Sequence, residues 1–252
     1  MDREALRAQW LHEEQMANIR GWDFSYIEGR HEQAALPWDY GEVIRRYLNP
    51  VMEMLDYDTG GGEFLLSLKH PFYRTAATEG YEPNVVLCRE TLVPLGIDFR
   101  PCADPSNIPF ENGRFDMILN RHGSFDAKEI YRLLKPGGMF ITQQVGSDND
   151  RDLVEMVLPD IEKAFDNLYL EAQTRVFEAV GFRIIQGAEA FRPIRFFDIG
   201  AFVWFARIIQ WEFPSFSVDK CLDGLMRMQD VVEEKGCVEG TVHRYLIVAQ
   251  KP

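Results

Sequence analysis

An apolar run that empties into a glycine cluster constrains this chain more than any other feature. Val51-Met52-Glu53-Met54-Leu55-Asp56-Tyr57-Asp58-Thr59-Gly60-Gly61-Gly62-Glu63-Phe64-Leu65 reads as a strand, a tight loop and the start of a helix. Glycines at such a junction permit positive φ and let ligand atoms reach the backbone, while the first helical turn offers unpaired N–H groups. The spacing is not the G-x-G-x-x-G of dinucleotide sites, and no Gly-Lys-Ser/Thr follows to hold a nucleotide phosphate. Hydride and phosphoryl transfer both lose ground. Glu79 follows the next predicted strand, 17 residues beyond Gly62. A carboxylate so placed accepts both hydroxyls of a ribose.

Short apolar runs alternate with helical stretches on both sides of this junction. Strands are predicted over residues 51–55, 75–78, 99–102, 117–120 and 139–145, and helices over 62–69, 84–93 and 127–134, the last stopped by Lys135-Pro136-Gly137-Gly138. This order implies β-α-β units and a parallel sheet covered on both faces. Ahead of it, residues 2–19 carry Leu6, Trp10 and Leu11 on one side of a helix and Arg3, Arg7, Glu13 and Glu14 elsewhere. A short helix over 40–48 ends at Asn49-Pro50. The last third reads as a long helical region over 152–180, a strand over 182–186, helices over 198–210 and 219–234, and a final strand over 245–249. The two late strands suggest a hairpin-like closure of the sheet edge. No repeat or low-complexity tract divides the chain, so one fold unit is expected.

Composition narrows the function classes. With 252 residues and 46% hydrophobic content the chain has material for a sizeable core. Lys+Arg 27 against Asp+Glu 40 gives −13, a poor match to nucleic-acid phosphate or an anionic membrane. Seven acids and two bases fall within 152–178, where a solvated helix face accounts for them. The first twenty residues lack a signal-peptide core, and the longest apolar stretch, 199–209, is well short of the roughly 20 residues that span a bilayer. A soluble cytoplasmic protein is expected. Cys88, Cys102, Cys221 and Cys237 lie far apart without paired metal-ligand spacing, so reduced thiols and no metal site are expected.

From Val51 to Gly146 the chain resembles the class I S-adenosylmethionine-dependent methyltransferases. The resemblance is carried by Asp56 and the loop through Gly62, by Glu79, by Asp104 after the third strand, by Ile108-Pro109-Phe110 and Phe115-Asp116, and by Leu134-Lys135-Pro136-Gly137-Gly138. It implies a Rossmann-like sheet of seven strands, mostly parallel with an antiparallel last strand. The N-terminal helical extension or lid is then residues 1–49, and the methyltransferase-like domain 50–252, with a helical insertion at about 191–240. It also implies that Asp56, Asp58, Thr59, Gly60, Gly61 and Gly62 surround the methionine part of the cofactor, that Glu79 and Gly80 meet the ribose, and that Asp104 takes the adenine amino group. A cationic sulfonium without phosphate suits a loop flanked by carboxylates and free of lysine. Two residues depart from the family pattern: Asp58 stands where the first glycine is usual, and Pro105 removes a main-chain donor next to Asp104.

Ligands in open parallel sheets sit beyond the carboxyl ends of the strands. That position holds Asn120-Arg121-His122-Gly123 and Gln143-Gln144-Val145-Gly146. Asn120, His122 and Gln143 are the candidates for the acceptor side, His122 either as a general base or as a residue that shapes the loop. Arg121 either binds an acidic substrate group or pairs with a surface carboxylate. The Asn/Asp-Pro-Pro-aromatic motif of nucleobase amino methylation is absent here. The expected reaction is therefore methyl transfer to a small or medium-sized acceptor, the rivals being an RNA methyltransferase and a non-catalytic binding protein on the same scaffold. Aromatics from Phe191 to Phe216 crowd around the 198–210 helix, apolar almost all round. Burial beneath the N-terminal helix or in a homodimer would explain it. Trp10, Trp22 and Tyr26 are candidates for a lid.

Overall fold

The computed structural model describes residues 2–19, 22–163 and 165–252. In chain order the elements begin with α1 (Arg3–Met16), β1 (His31–Gln33), α2 (Tyr40–Arg45), β2 (Met54–Tyr57), α3 (Glu63–Ser67), β3 (Thr75–Glu79) and α4 (Glu82–Thr91). They continue with β4 (Asp98–Pro101), β5 (Phe115–Arg121), α5 (Ala127–Leu133), β6 (Leu134–Val145), α6 (Arg151–Val157) and α7 (Leu170–Val180). The chain ends with β7 (Arg183–Phe196), α8 (Ile199–Ile208), α9 (Val218–Lys235) and β8 (Val238–Gln250). The sheet has the order β1-β7-β8-β6-β5-β2-β3-β4. The residues group into two compact units.

The first unit, residues 37–146, 167–189 and 244–252, holds the parallel strands. β4, β3, β2, β5 and β6 pair parallel, and β8 returns antiparallel to β6 through Met139↔Gln250 to Val145↔Arg244. All four residues of β2 are buried, as a central strand covered on both faces requires. Successive residues serve opposite faces. Leu55, Ile118, Phe140 and Ile247 pack with Ile130, Leu133 and Phe177, whereas Met54, Met117, Ile141 and Val248 pack with Ile44, Leu65 and Leu92. Phe110 is held between the guanidinium groups of Arg100 and Arg114, so the Ile-Pro-Phe landmark is a packing anchor.

The second unit, residues 1–36, 147–166 and 190–243, is built around α8. Asp198 caps that helix by accepting from the Ala201 amide, and Arg30 joins Asp198 to Glu13 on α1. Phe202, Val203, Trp204 and Ala206 are buried, with α1 and α9 packed on α8. This contact accounts for a helix apolar all round. Trp10 belongs to the same core, while Trp22, Tyr26, Phe191, Phe197 and Trp211 are exposed.

Three expectations need correction. The sheet has eight strands, not seven; the extra one, β1, is the polar tripeptide His31-Glu32-Gln33 paired antiparallel to β7, and it carries no apolar alternation to reveal it. The helix expected over 152–180 is two helices, α6 and α7. Pro159 lacks an N–H and disfavours helical backbone at Leu158, whose φ and ψ are −136° and 64°. Ala164, inside that expected helix, lies outside the described residues. The late strands are far longer than predicted, β7 alternating in exposure along much of its length. Among the described residues no helix is long and apolar enough to cross a membrane, and no cluster of three or more His, Cys, Asp or Glu side chains is placed to hold a metal.

Candidate cofactor and acceptor site

The glycine loop turns out of β2 under tight local control. Thr59 donates its backbone N–H to the Thr78 carbonyl at 2.9 Å and its hydroxyl to Asp56 Oδ2 at 2.6 Å. Asp56 is buried, which pushes its carboxyl up to about 6; the Thr59 hydroxyl and the charge of Arg121 oppose the rise, and Glu79 adds to it. Gly62 has φ +85°, and a Cβ there would stand 2.7 Å from Leu92 Cδ2. Gly62→Ala is therefore expected to lower stability by about 1–2 kcal/mol in urea denaturation, from the left-handed backbone and the displaced Leu92.

Glu79 ends β3 with only 3% of its surface exposed. Its Oε1 accepts from the amides of Gly80 and Tyr81 at 2.9 and 2.8 Å, and its Oε2 accepts from Gly60 at 2.7 Å. A carboxylate accepts about four hydrogen bonds. These three amides leave about one acceptor position on Glu79, and the Asp58 carboxyl stands close enough to feel its charge. Burial first, then the charge and proximity of Glu79, push Asp58 up to about 7. Asp58 adopts φ +61°, a conformation that glycine takes more easily. Its Oδ2 lies 2.2 Å from where a Cβ on Gly123 would be, so a glycine at 123 is what lets Asp58 fit.

Asp104 sits after β4 on an exposed turn, its Oδ1 accepting from the Ser106 amide at 2.9 Å and hydroxyl at 2.7 Å. Those bonds hold the carboxyl below the usual aspartate range. Gly80 packs so closely on the same connection that a Cβ would lie 2.7 Å from the Cys102 carbonyl. The structure thus brings Asp56, Asp58, Thr59, Gly60 and Glu79 together at the carboxyl ends of β2 and β3, with Gly80 against the turn that leads to Asp104.

The acceptor candidates stand on β5 and β6. Asn120 is fully buried: its Nδ2 donates to the Tyr57 carbonyl at 3.0 Å, and its Oδ1 accepts from Gln144 at 2.5 Å. Its side chain ties the ends of β2, β5 and β6 together. His122 has φ +65°, and its amide donates to the Gln143 carbonyl at 2.9 Å. The residue is exposed, but the strand ends surround its imidazole, and that desolvation, with the charges of Arg244 and Arg121, holds it well below its ordinary value. Gln143 Nε2 lies 3.1 Å from His122 Nε2, and Gln143 Oε1 accepts from the Trp38 indole at 2.8 Å. Trp38, Tyr40 and Phe64 complete the surroundings: Tyr40 reaches the Asn120 and Ile141 carbonyls at 3.1 and 2.9 Å, and its ring stacks on Phe64. The sequence reading assigned these three no role at the site. A Pro-Trp-Asp-Tyr segment ahead of a short helix was the visible signal, since a partly buried indole seeks an acceptor.

A methyltransferase-domain family profile matches residues 55–142, a span that opens in β2, closes in β6 and contains the loop, Glu79, Asp104 and His122. That span carries a methyltransferase domain, and the fold is that of the class I S-adenosylmethionine-dependent methyltransferases. No curated protein sequence matches it. Solved structures do. A protein of Bacillus halodurans C-125 that carries a provisional methyltransferase name is 18% identical over 85% of this chain and 99% of its own, with a TM-score of 0.59. The YcgJ protein of Bacillus subtilis is 17% identical over 84% of this chain and 97% of its own, with a TM-score of 0.56. Haemonchus contortus phosphoethanolamine N-methyltransferase 2, solved with S-adenosyl-L-methionine, is 18% identical over 85% of this chain and 53% of its own, with a TM-score of 0.52. At these identities the likeness is one of fold, including the mostly parallel sheet with its antiparallel β8.

Proposed function

We propose that this methyltransferase-fold chain binds S-adenosylmethionine and directs its methyl group to a small or medium-sized acceptor. The observation that carries the reading is Glu79: a buried carboxylate at the end of β3, fastened to the glycine loop through the Gly60 amide. The donor set fits the cofactor. Asp56, Asp58 and Glu79 surround a loop without lysine or arginine, which favours a cation over a phosphate, and Asp104 keeps Oδ2 beside an exposed edge. Glu79 would hold the ribose, Gly60 to Gly62 the methionine part and Asp104 the adenine amino group. When bound, the cofactor supplies an electrophilic methyl on its sulfonium, so the chain's own task is to orient the acceptor for in-line attack and exclude water.

Titration calorimetry with S-adenosylhomocysteine tests this reading. Saturable heat is expected, and no heat at millimolar concentrations would overturn it. One observation favours a second reading, a binding protein on the same scaffold: Asp58, at positive φ, sets a second carboxyl beside the Glu79 that a ribose would need. In that case Asp58→Gly binds S-adenosylhomocysteine much more tightly than the natural chain, and methyl transfer is restored in neither.

A further inference from the structure

We propose that the acceptor side of this site reads an oxyanion, a carboxylate or phosphate borne by the methyl acceptor, through the Arg121 guanidinium and the Nδ1–H of His122, with Trp38 and Gln143 as positioning residues. The proposal rests on the methyl-transfer reading for its place in a reaction, but the groups that carry it are not those assigned to the cofactor.

The hydrogen-bond chain fixes which nitrogen of His122 bears the proton. An indole N–H only donates, so the oxygen of the Gln143 amide must face Trp38. Its NH2 group then faces His122 Nε2. An NH2 group also only donates, so Nε2 accepts and the proton of the neutral ring sits on Nδ1. A proton on Nε2 would set two donors against each other. The depressed imidazole agrees with a neutral ring. His122 is thereby a poor proton acceptor, because its one basic nitrogen is occupied. It is a preset donor, because Nδ1 has no partner among the described residues.

Arg121 is the adjacent cation at the carboxyl end of β5. Its guanidinium lies 4.5 Å above the Phe64 ring, Phe64 stacks on Tyr40 at 5.3 Å, and the Tyr40 hydroxyl is anchored on the backbone of β5 and β6. The side chain is exposed and has no ion-pair partner among the described residues. Asp56, whose charge it feels, is already held by Thr59. A guanidinium supported on a fixed aromatic platform loses little freedom on binding, and its planar fork matches carboxylate and phosphate oxygens. Both donors therefore suit an oxyanion better than a neutral or cationic acceptor.

Side-chain 15N NMR of His122 tests the arrangement, with inorganic phosphate and acetate as probes and acetamide as the neutral control, each with and without S-adenosylhomocysteine. The expected result is an Nδ1–H ring whose resonance shifts saturably with an anion and not with acetamide, and an apparent affinity at least about tenfold weaker in Arg121→Gln. Tighter phosphate points to a phosphate ester as acceptor, and tighter acetate to a carboxylate. Gln143→Glu should move the ring proton to Nε2, since a carboxylate accepts from both neighbours. Trp38→Phe, which leaves the amide free to turn, should populate both tautomers. An Nε2–H ring in the natural chain, the absence of a saturable anion shift, or an unchanged Arg121→Gln would overturn the proposal. Anion binding without S-adenosylhomocysteine binding would leave the oxyanion site standing and remove the methyl-transfer reading; the converse would do the opposite.

Discussion

Replacing Glu79 by Gln is expected to weaken S-adenosylhomocysteine binding by about 10- to 100-fold. A ribose hydroxyl donating to the acceptor position that the three amides leave on this buried carboxylate makes a charge-assisted hydrogen bond, worth about 1.5–3 kcal/mol. An amide offers one acceptor oxygen where the carboxylate offers two. The existing contacts sharpen the expectation. Gly80 and Tyr81 need Oε1, so the amide oxygen of the substituted side chain would turn to them and its NH2 group would oppose the Gly60 amide, loosening the loop proposed to hold the cofactor. Titration calorimetry of the natural and substituted chains, with circular dichroism to show that both are folded, measures the difference. Equal affinities would remove Glu79 from the ribose role.

The β-α-β core was legible because its signals are local. Strand, glycine turn and helix follow within fifteen residues from Val51 to Leu65, and Glu79 lies one crossover away, so chain order alone brings it near the loop. The broken helix before α7 had a local signal too, Pro159, outweighed by the amphipathic run around it. β1 had none, since three polar residues become a strand only because the backbone of β7 is there to pair with them. The chain from Trp38 through Gln143 to His122 joins positions 105 and 21 residues apart. It depends on β5 and β6 being neighbours and on which face each side chain takes. Residue types named His122 as a candidate, whereas the tautomer that decides its role came from three side chains meeting. Asp58 stood out as a departure from the family pattern, but its effect on Glu79 required their approach in space.

Replacing Asp58 by Asn is expected to abolish much of the loss of stability that the natural chain undergoes as pH rises from about 4 to about 7. The sign follows from linkage. Asp58 titrates near 3.9 when unfolded and near 7 when folded, so between those values the native state holds the extra proton and stability falls as pH increases. Asp56, raised to about 6, acts in the same direction and is left in place by the substitution. Asparagine is the best-matched replacement: it tolerates positive φ, keeps the shape of the side chain and can still donate to Glu79. At pH 4 the two proteins should melt together. At pH 8 the variant should be more stable by about 3 kcal/mol, a melting-temperature gain on the order of 5–10 °C for a chain of this size. A difference independent of pH would mean that Asp58 is not the group that holds the proton. The same measurement bears on the proposed cofactor site, because a proton held on Asp58 removes one negative charge beside Glu79. If Asp58→Asn also leaves S-adenosylhomocysteine affinity flat across pH 6–8 while the natural chain varies, the departure from the family glycine is a proton-linked control on the ribose carboxylate.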